Sequence, residues 1–100
     1  MLLRVVRMTF NPAQVATFLT LFEATKTRIR AQPGCLGMDL GRDTADAAVF
    51  CTYSRWESEA ALNAYRQSAL FGEVWPATKR LFAAPAVAFS SMVQDADPRR

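Results

Sequence analysis

Residues 33–58 read PGCLGMDLGRDTADAAVFCTYSRWES, and this stretch decides the architecture. Pro33-Gly34 stops whatever helix precedes it, because proline lacks the amide a helix needs and glycine tolerates the left-handed turn that ends one. Residues 35–42 (CLGMDLGR) and 47–56 (AAVFCTYSRW) flank the polar segment Asp43-Thr44-Ala45-Asp46, the pattern of a β-hairpin whose short loop turns near residues 44 and 45. In the second arm Val49, Cys51 and Tyr53 share one face, while Phe50, Thr52, Ser54 and Trp56 share the other. Neither face is clearly polar, so both must be covered. Ser58 stands where a helix N-cap is needed, ahead of a short helix containing Leu62 and Tyr65.

Toward the N-terminus, residues 2–10 (LLRVVRMTF) form a run of strand length. Arg4, Val6, Met8 and Phe10 point one way and Leu3, Val5, Arg7 and Thr9 the other, again with apolar side chains on both faces. A helix start follows: Asn11 as cap, Pro12 at the first helical position, Gln14 as second member of a capping box, and Phe10 with Val15 as a hydrophobic staple. Val15, Phe18, Leu19, Phe22, Lys26 and Ile29 keep helical spacing up to Pro33, with Lys26 alone breaking the apolar stripe.

Toward the C-terminus, Ser68 caps a second late helix carrying Leu70, Phe71, Val74, Trp75, Leu81 and Phe82, which Pro76 should kink. After Pro85 a last strand alternates Val87, Phe89, Ser91 and Val93 with Ala86, Ala88, Ser90 and Met92. The order strand, helix, strand, strand, helices, strand predicts an α+β domain: a ferredoxin-like split βαβ with a four-stranded antiparallel sheet. Helices on one side of such a sheet leave the other side bare, and a second subunit is the economical cover, so the partner expected is a homodimer. Residues 1–93 are read as one domain and residues 94–100 (QDADPRR) as a polar tail.

With 100 residues the chain has room for one core and buries roughly 65% of its unfolded surface. No apolar run reaches the roughly 18 residues that span a bilayer, and Arg4 and Arg7 interrupt the N-terminus where a signal peptide needs an unbroken apolar core, so no membrane partner and a cytoplasmic location are expected. The net charge of +3 is dispersed, with Lys26, Arg28 and Arg30 near one helix end and Lys79 and Arg80 near another, which argues against nucleic acid as a partner. In the expected hairpin Cys35 falls opposite Ser54 and Cys51 opposite Met38, so the two cysteines read as small buried hydrophobes rather than a disulfide.

The segment PGCLGMDLGRD, followed by a strand ending in Arg55-Trp56-Glu57-Ser58 and then Glu59-Ala60-Ala61-Leu62-Asn63-Ala64-Tyr65, resembles the antibiotic biosynthesis monooxygenase family. The resemblance runs from about Leu3 to Val93 and is carried by markers of fold rather than of reaction. It implies that two sheets from two subunits close into a dimeric α+β barrel, each subunit keeping a cleft between its sheet and helices. It further implies that Tyr65, Leu70, Phe71, Val74 and Trp75 lie beside that cleft under Phe18 and Phe22. The ligand expected there is a hydrophobic or aromatic small molecule.

Members of this family that oxidise phenols or quinols need no metal or flavin, because a deprotonated, electron-rich ring can itself pass an electron to oxygen; no cofactor is therefore expected. Many relatives have histidine where this chain has Tyr65 and Leu70, and this sequence contains no histidine at all. The remaining groups for a proton are Tyr65, Asp39, Glu73 or a substrate that ionises unaided, and Tyr65 is the catalytic candidate. The haem-degrading branch of the fold is excluded by the missing iron ligand, and the carboxylates show no metal-ligand spacing. Two functions stand: a cofactor-independent monooxygenase acting on an aromatic or quinol-like molecule, or a non-catalytic small-molecule-binding or stress-response module of the same fold. Plain core roles for Tyr65, Trp75 and Trp56 remain open beside these, and Arg7 is read as facing the barrel, paired with an acid across the interface.

Overall fold

The three cap residues read from the sequence each hold a backbone amide, but the Gln14 side chain makes no cap bond, so the expected capping box does not form. In a computed structural model that describes residues 1–99, the Asn11 side chain accepts from the Ala13 amide at 3.1 Å, Ser58 from Ala61 at 3.1 Å and Ser68 from Phe71 at 3.2 Å. Arg100, the last residue of the predicted tail, lies outside the described residues. The elements are β1 (Leu2–Thr9), a 3-10 turn (Pro12–Gln14), α1 (Val15–Arg30), β2 (Cys35–Arg42), β3 (Val49–Trp56), α2 (Glu59–Arg66), α3 (Ala69–Lys79) and β4 (Val87–Met92). After β4 the described residues adopt neither helix nor strand. Helix α3 runs through Pro76, whose missing amide leaves the Gly72 carbonyl without its usual donor.

The four strands form one antiparallel sheet in the order β2-β3-β1-β4. Helix α1 carries the chain from β1 to β2 with β3 between them, and α2 and α3 carry it from β3 to β4 with β1 between them. This is the ferredoxin-like split βαβ arrangement. The helix-facing side of the sheet holds Leu2, Met8, Phe10, Met38, Phe50 and Trp56, all buried. Phe10 and Phe18 stack at 4.1 Å between ring centroids, and Phe50 meets both, so β1, β3 and α1 close one core at this end. A second cluster of Leu2, Trp56 and Leu62 ties α2 to the opposite end.

Two expectations for the hairpin are corrected. Met38 pairs with Ser54 and Gly41 with Cys51, while Cys35 lies beside Trp56 across a β-bulge, so the register is shifted from a turn at residues 44 and 45. The reason is local. Asp43 accepts from the amides of Ala45 at 3.0 Å and Asp46 at 2.9 Å, and Asp46 accepts from Ala48 at 2.9 Å, so side-chain oxygens close a longer loop and β3 begins at Val49. The cysteines are free in this register as they would have been in the other.

Along α1, Leu19 is exposed and Thr25 takes its place inside, its hydroxyl donating to the Leu21 carbonyl at 2.9 Å so that no polar atom is left unpaired by burial. Arg7 does face the side away from the helices, but its acid is in its own chain: Nη1 lies 3.5 Å from Asp43 Oδ1. On the same face Arg55 lies 3.7 Å from Asp39.

Gly34 and Gly37 are required by the backbone. Gly34 has φ +81° where α1 turns into β2, and a Cβ there would lie 2.5 Å from the Cβ of Ala61 in α2. Gly37 has φ +150°, and a Cβ would lie 2.9 Å from the Arg55 guanidinium. Among the described residues no helix is long and apolar enough to cross a membrane.

Candidate functional site

Between the helix-facing side of the sheet and the helices lies a cavity of about 170 Å³. Its floor is the row of side chains that alternation directs inward from β1 and β3, chiefly Val6, Met8, Thr52 and Ser54. Phe18, Phe22 and Ile29 of α1 form the roof, and Tyr65, Phe71, Val74 and Trp75 of α2 and α3 form one wall. Small side chains leave the opposite side open: Ala88 is the only β4 residue at the wall, and β4 is exposed along its whole length.

The aromatic rings around the cavity touch in sequence. Trp56 stacks on Tyr65 at 5.2 Å, Tyr65 meets Phe71 edge-on at 5.3 Å, and Phe71 stacks on Trp75 at 5.9 Å. Trp75 continues through Phe82 and Phe10 to Phe18. A dry cavity of roughly 150 Å³ holds benzene. This volume, open at one end, suits a small flat aromatic molecule, held by faces and edges that favour stacking.

The polar groups at the walls are mostly committed. Ser54 Oγ accepts from Trp56 Nε1 at 3.0 Å, and the Thr25 and Thr78 hydroxyls donate to carbonyls of their own helices. The Tyr65 hydroxyl has no hydrogen-bond partner among the described residues. Burial, and then the nearby thiol of Cys35, push its pKa up to about 12. At neutral pH Tyr65 therefore carries its proton and is a donor, not a base. The other two candidate bases lie elsewhere. Asp39 is exposed on the far side of the sheet beside Arg55, and Glu73 is exposed on α3 beside Arg28 at 3.5 Å. No carboxylate lines the cavity, and among the described residues no three histidine, cysteine or acidic side chains are grouped to hold a metal ion.

Of the residues singled out from the sequence, Tyr65, Phe18, Phe22, Phe71, Val74 and Trp75 come together on one cavity. Leu70 is half-buried but is not among the lining side chains. Trp56, read as structural, is buried and also reaches the cavity wall. Sequence reasoning missed Arg4 and Arg66, which line the open end. The signal for Arg4 was a guanidinium on the strand face otherwise occupied by Val6, Met8 and Phe10.

The antibiotic biosynthesis monooxygenase family model matches residues 1–75. The chain belongs to the antibiotic biosynthesis monooxygenase family. The matched residues take in β1 to β3, α1, α2 and α3 as far as Trp75. Membership supports a monooxygenase-like function in general terms. Solved structures agree in fold. A protein of Mycobacterium tuberculosis superposes with a TM-score of 0.87 at 21% identity, over 95% of this chain and 96% of that one. A structure described as an antibiotic biosynthesis monooxygenase gives 0.86 at 23% identity, over 98% and 100%. A conserved protein from Methanosarcina mazei gives 0.85 at 17%, over 91% of each chain. No curated protein matches the sequence.

Proposed function

We propose that this member of the antibiotic biosynthesis monooxygenase family oxidises a phenolic or quinol-like aromatic molecule with dioxygen, without metal or flavin, in the cavity between sheet and helices. The observation that carries this reading is the cavity's size and lining, which suit a small flat aromatic molecule packed against Tyr65, Phe71 and Trp75. In such a reaction the ring supplies all four electrons. The ionised substrate passes one electron to dioxygen, the two radicals join to form a carbon–oxygen bond, and loss of water from the ring hydroperoxide leaves a quinone. One oxygen atom enters the ring and the other leaves as water. Tyr65, held protonated, donates a hydrogen bond to the substrate oxygen and steadies its charge.

The test is oxygen uptake by purified protein with a panel of dihydroxyarenes. Uptake above the protein-free rate, reduced in Tyr65→Phe, is expected; a rate equal to the blank with every member of the panel would overturn the proposal. One observation favours a second reading, a module that binds an aromatic molecule without turning it over: the cavity walls contain no carboxylate or imidazole to take a proton. That reading requires a thermal shift on adding an aromatic ligand without any turnover.

The oligomeric state belongs to the same proposal. The sheet face away from the helices exposes Val87 (59%), Phe89 (54%) and Tyr53 (40%), an apolar surface that pairing with a second sheet would bury. Phe89→Lys should convert a dimer into a monomer in sedimentation velocity. A wild-type monomer at micromolar concentration would contradict the pairing.

A further inference from the structure

We infer that Arg4 and Arg66 form an oxyanion-recognition pair at the open end of the cavity, so that the ligand is a flat aromatic molecule carrying an anionic oxygen, phenolate or carboxylate. This deepens the reading of the cavity as an aromatic site and rests on it.

Arg4 sits mid-way along β1 on the helix-facing side, where apolar neighbours would be expected to continue. In register it is flanked by Ser54 of β3 and Ser90 of β4, and its Nη1 donates to Ser90 Oγ at 3.2 Å. The three form a polar row across the floor, beside the Val6 and Thr52 pair. Arg66, the last residue of α2, reaches the same end of the cavity from the helix layer. A second, more polar concavity adjoins it, and Arg4, Leu62 and Arg66 line both.

These two arginines stand apart from most of the others. Arg7, Arg28, Arg55 and Arg99 each have an acidic partner, Arg30 donates to the Met38 carbonyl, and Arg42 donates to the Ala47 carbonyl and lies over the Phe50 ring. Neither Arg4 nor Arg66 has an acid within ion-pair distance among the described residues. Glu59 borders the outer concavity but pairs with neither guanidinium. Burial, and then the positive charge of Arg66, hold the Arg4 pKa below its ordinary value. Two like charges brought together beside a low-dielectric cavity repel, and an anion between them relieves that repulsion. A guanidinium fork takes a two-oxygen anion bidentately and can also direct its N–H groups at a single ring oxygen.

The geometry also removes a difficulty. The cavity lacks a base, but a pair of cations favours the ionised form of any acidic group brought to it. A substrate with an acidic ring oxygen would then lose its proton to water and need no side chain to take it.

Calorimetric titration at neutral pH with matched probes tests this: 2-naphthoate against naphthalene-2-carboxamide for the carboxylate, and 2,4-dinitrophenolate against 2,4-dinitroaniline for the phenolate. At least one anion should bind roughly tenfold more tightly than its neutral partner, and whichever does so names the oxygen class. Arg66→Gln should abolish that preference while leaving the neutral probe within about twofold. Arg4→Gln should do the same, and circular dichroism checks that each variant folds. Equal binding of each anion and its neutral partner to the wild type would overturn the anion site alone. Equal loss of both probes in Arg66→Gln would also overturn it, since that is a loss of shape. If none of the four probes binds, the aromatic cavity itself fails and this inference falls with it.

Discussion

Raising the pH above 10 should cost this protein stability at Tyr65. Its phenol is packed between Trp56 and Phe71, and burial lifts its pKa from an ordinary 10.0 to about 12. A group whose pKa is higher in the folded state favours folding fully below its unfolded value. That contribution is lost as the pH rises from 10 through 12. Two pH units at roughly 1.4 kcal/mol each give about 3 kcal/mol, and because the ring is only partly buried, screening by solvent trims the expected loss to about 2 kcal/mol. Urea denaturation of wild type and Tyr65→Phe across this range isolates the effect, since every other titrating group is common to both. The wild type should lose about 2 kcal/mol more than the variant. Tyrosinate absorbance gives a parallel reading, in which the ionisation absent from Tyr65→Phe should fall near 12. Parallel stability curves, or ionisation of Tyr65 near 10, would refute the claim that burial in the cavity wall holds its hydroxyl in the protonated form beyond its ordinary range.

Three further outcomes follow from the fold. Gly34→Ala combines a left-handed backbone with a Cβ 2.5 Å from Ala61, and should lower unfolding free energy by about 2–3 kcal/mol in urea; a loss under about 0.5 kcal/mol would contradict the packing of this turn. Trp56→Ala empties a site that is 1% exposed and frees Ser54, and should cost about 3–5 kcal/mol by the same measurement; a loss near 1 kcal/mol would show that Trp56 is not a core residue. Asp43 accepts from the Asp46 and Ala45 amides, which hold its carboxyl below the ordinary 3.8, so it stabilises the loop above that value and ceases to as the pH falls through its folded pKa. An NMR titration should find Asp43 ionising below 3.8, and a midpoint at or above that value would count against the loop geometry.

How far the sequence could be read depended on whether the determining interactions were local. Ser58 and Ser68 cap the helices they precede, Asn11 caps the 3-10 turn that leads into α1, and Pro33-Gly34 ends α1, because each acts on backbone within three residues of itself. Alternation put Val6, Met8, Thr52 and Ser54 on the inner face of the sheet, whereas the helix residues were placed at the cleft by the family resemblance, and six of those seven candidates meet on one cavity. The hairpin register was not legible, since it depends on Asp43 and Asp46 folding back on the loop in place of a tight turn. Nor was the meeting of Arg4 and Arg66. Alternation places Arg4 on the inner face, but only the packing of α2 over the sheet brings Arg66 to it.

The central claim is that the cavity lets an aromatic molecule reduce dioxygen with no electrons but its own, and isotope tracing tests it most directly. Metal-free protein is given 1,4-dihydroxynaphthalene under dioxygen labelled with the heavy isotope, and the products are weighed by mass spectrometry. The account predicts a hydroxynaphthoquinone carrying one labelled oxygen, with the second label in water and no hydrogen peroxide formed. Unlabelled naphthoquinone with an equivalent of hydrogen peroxide, at the rate seen without protein, would contradict it.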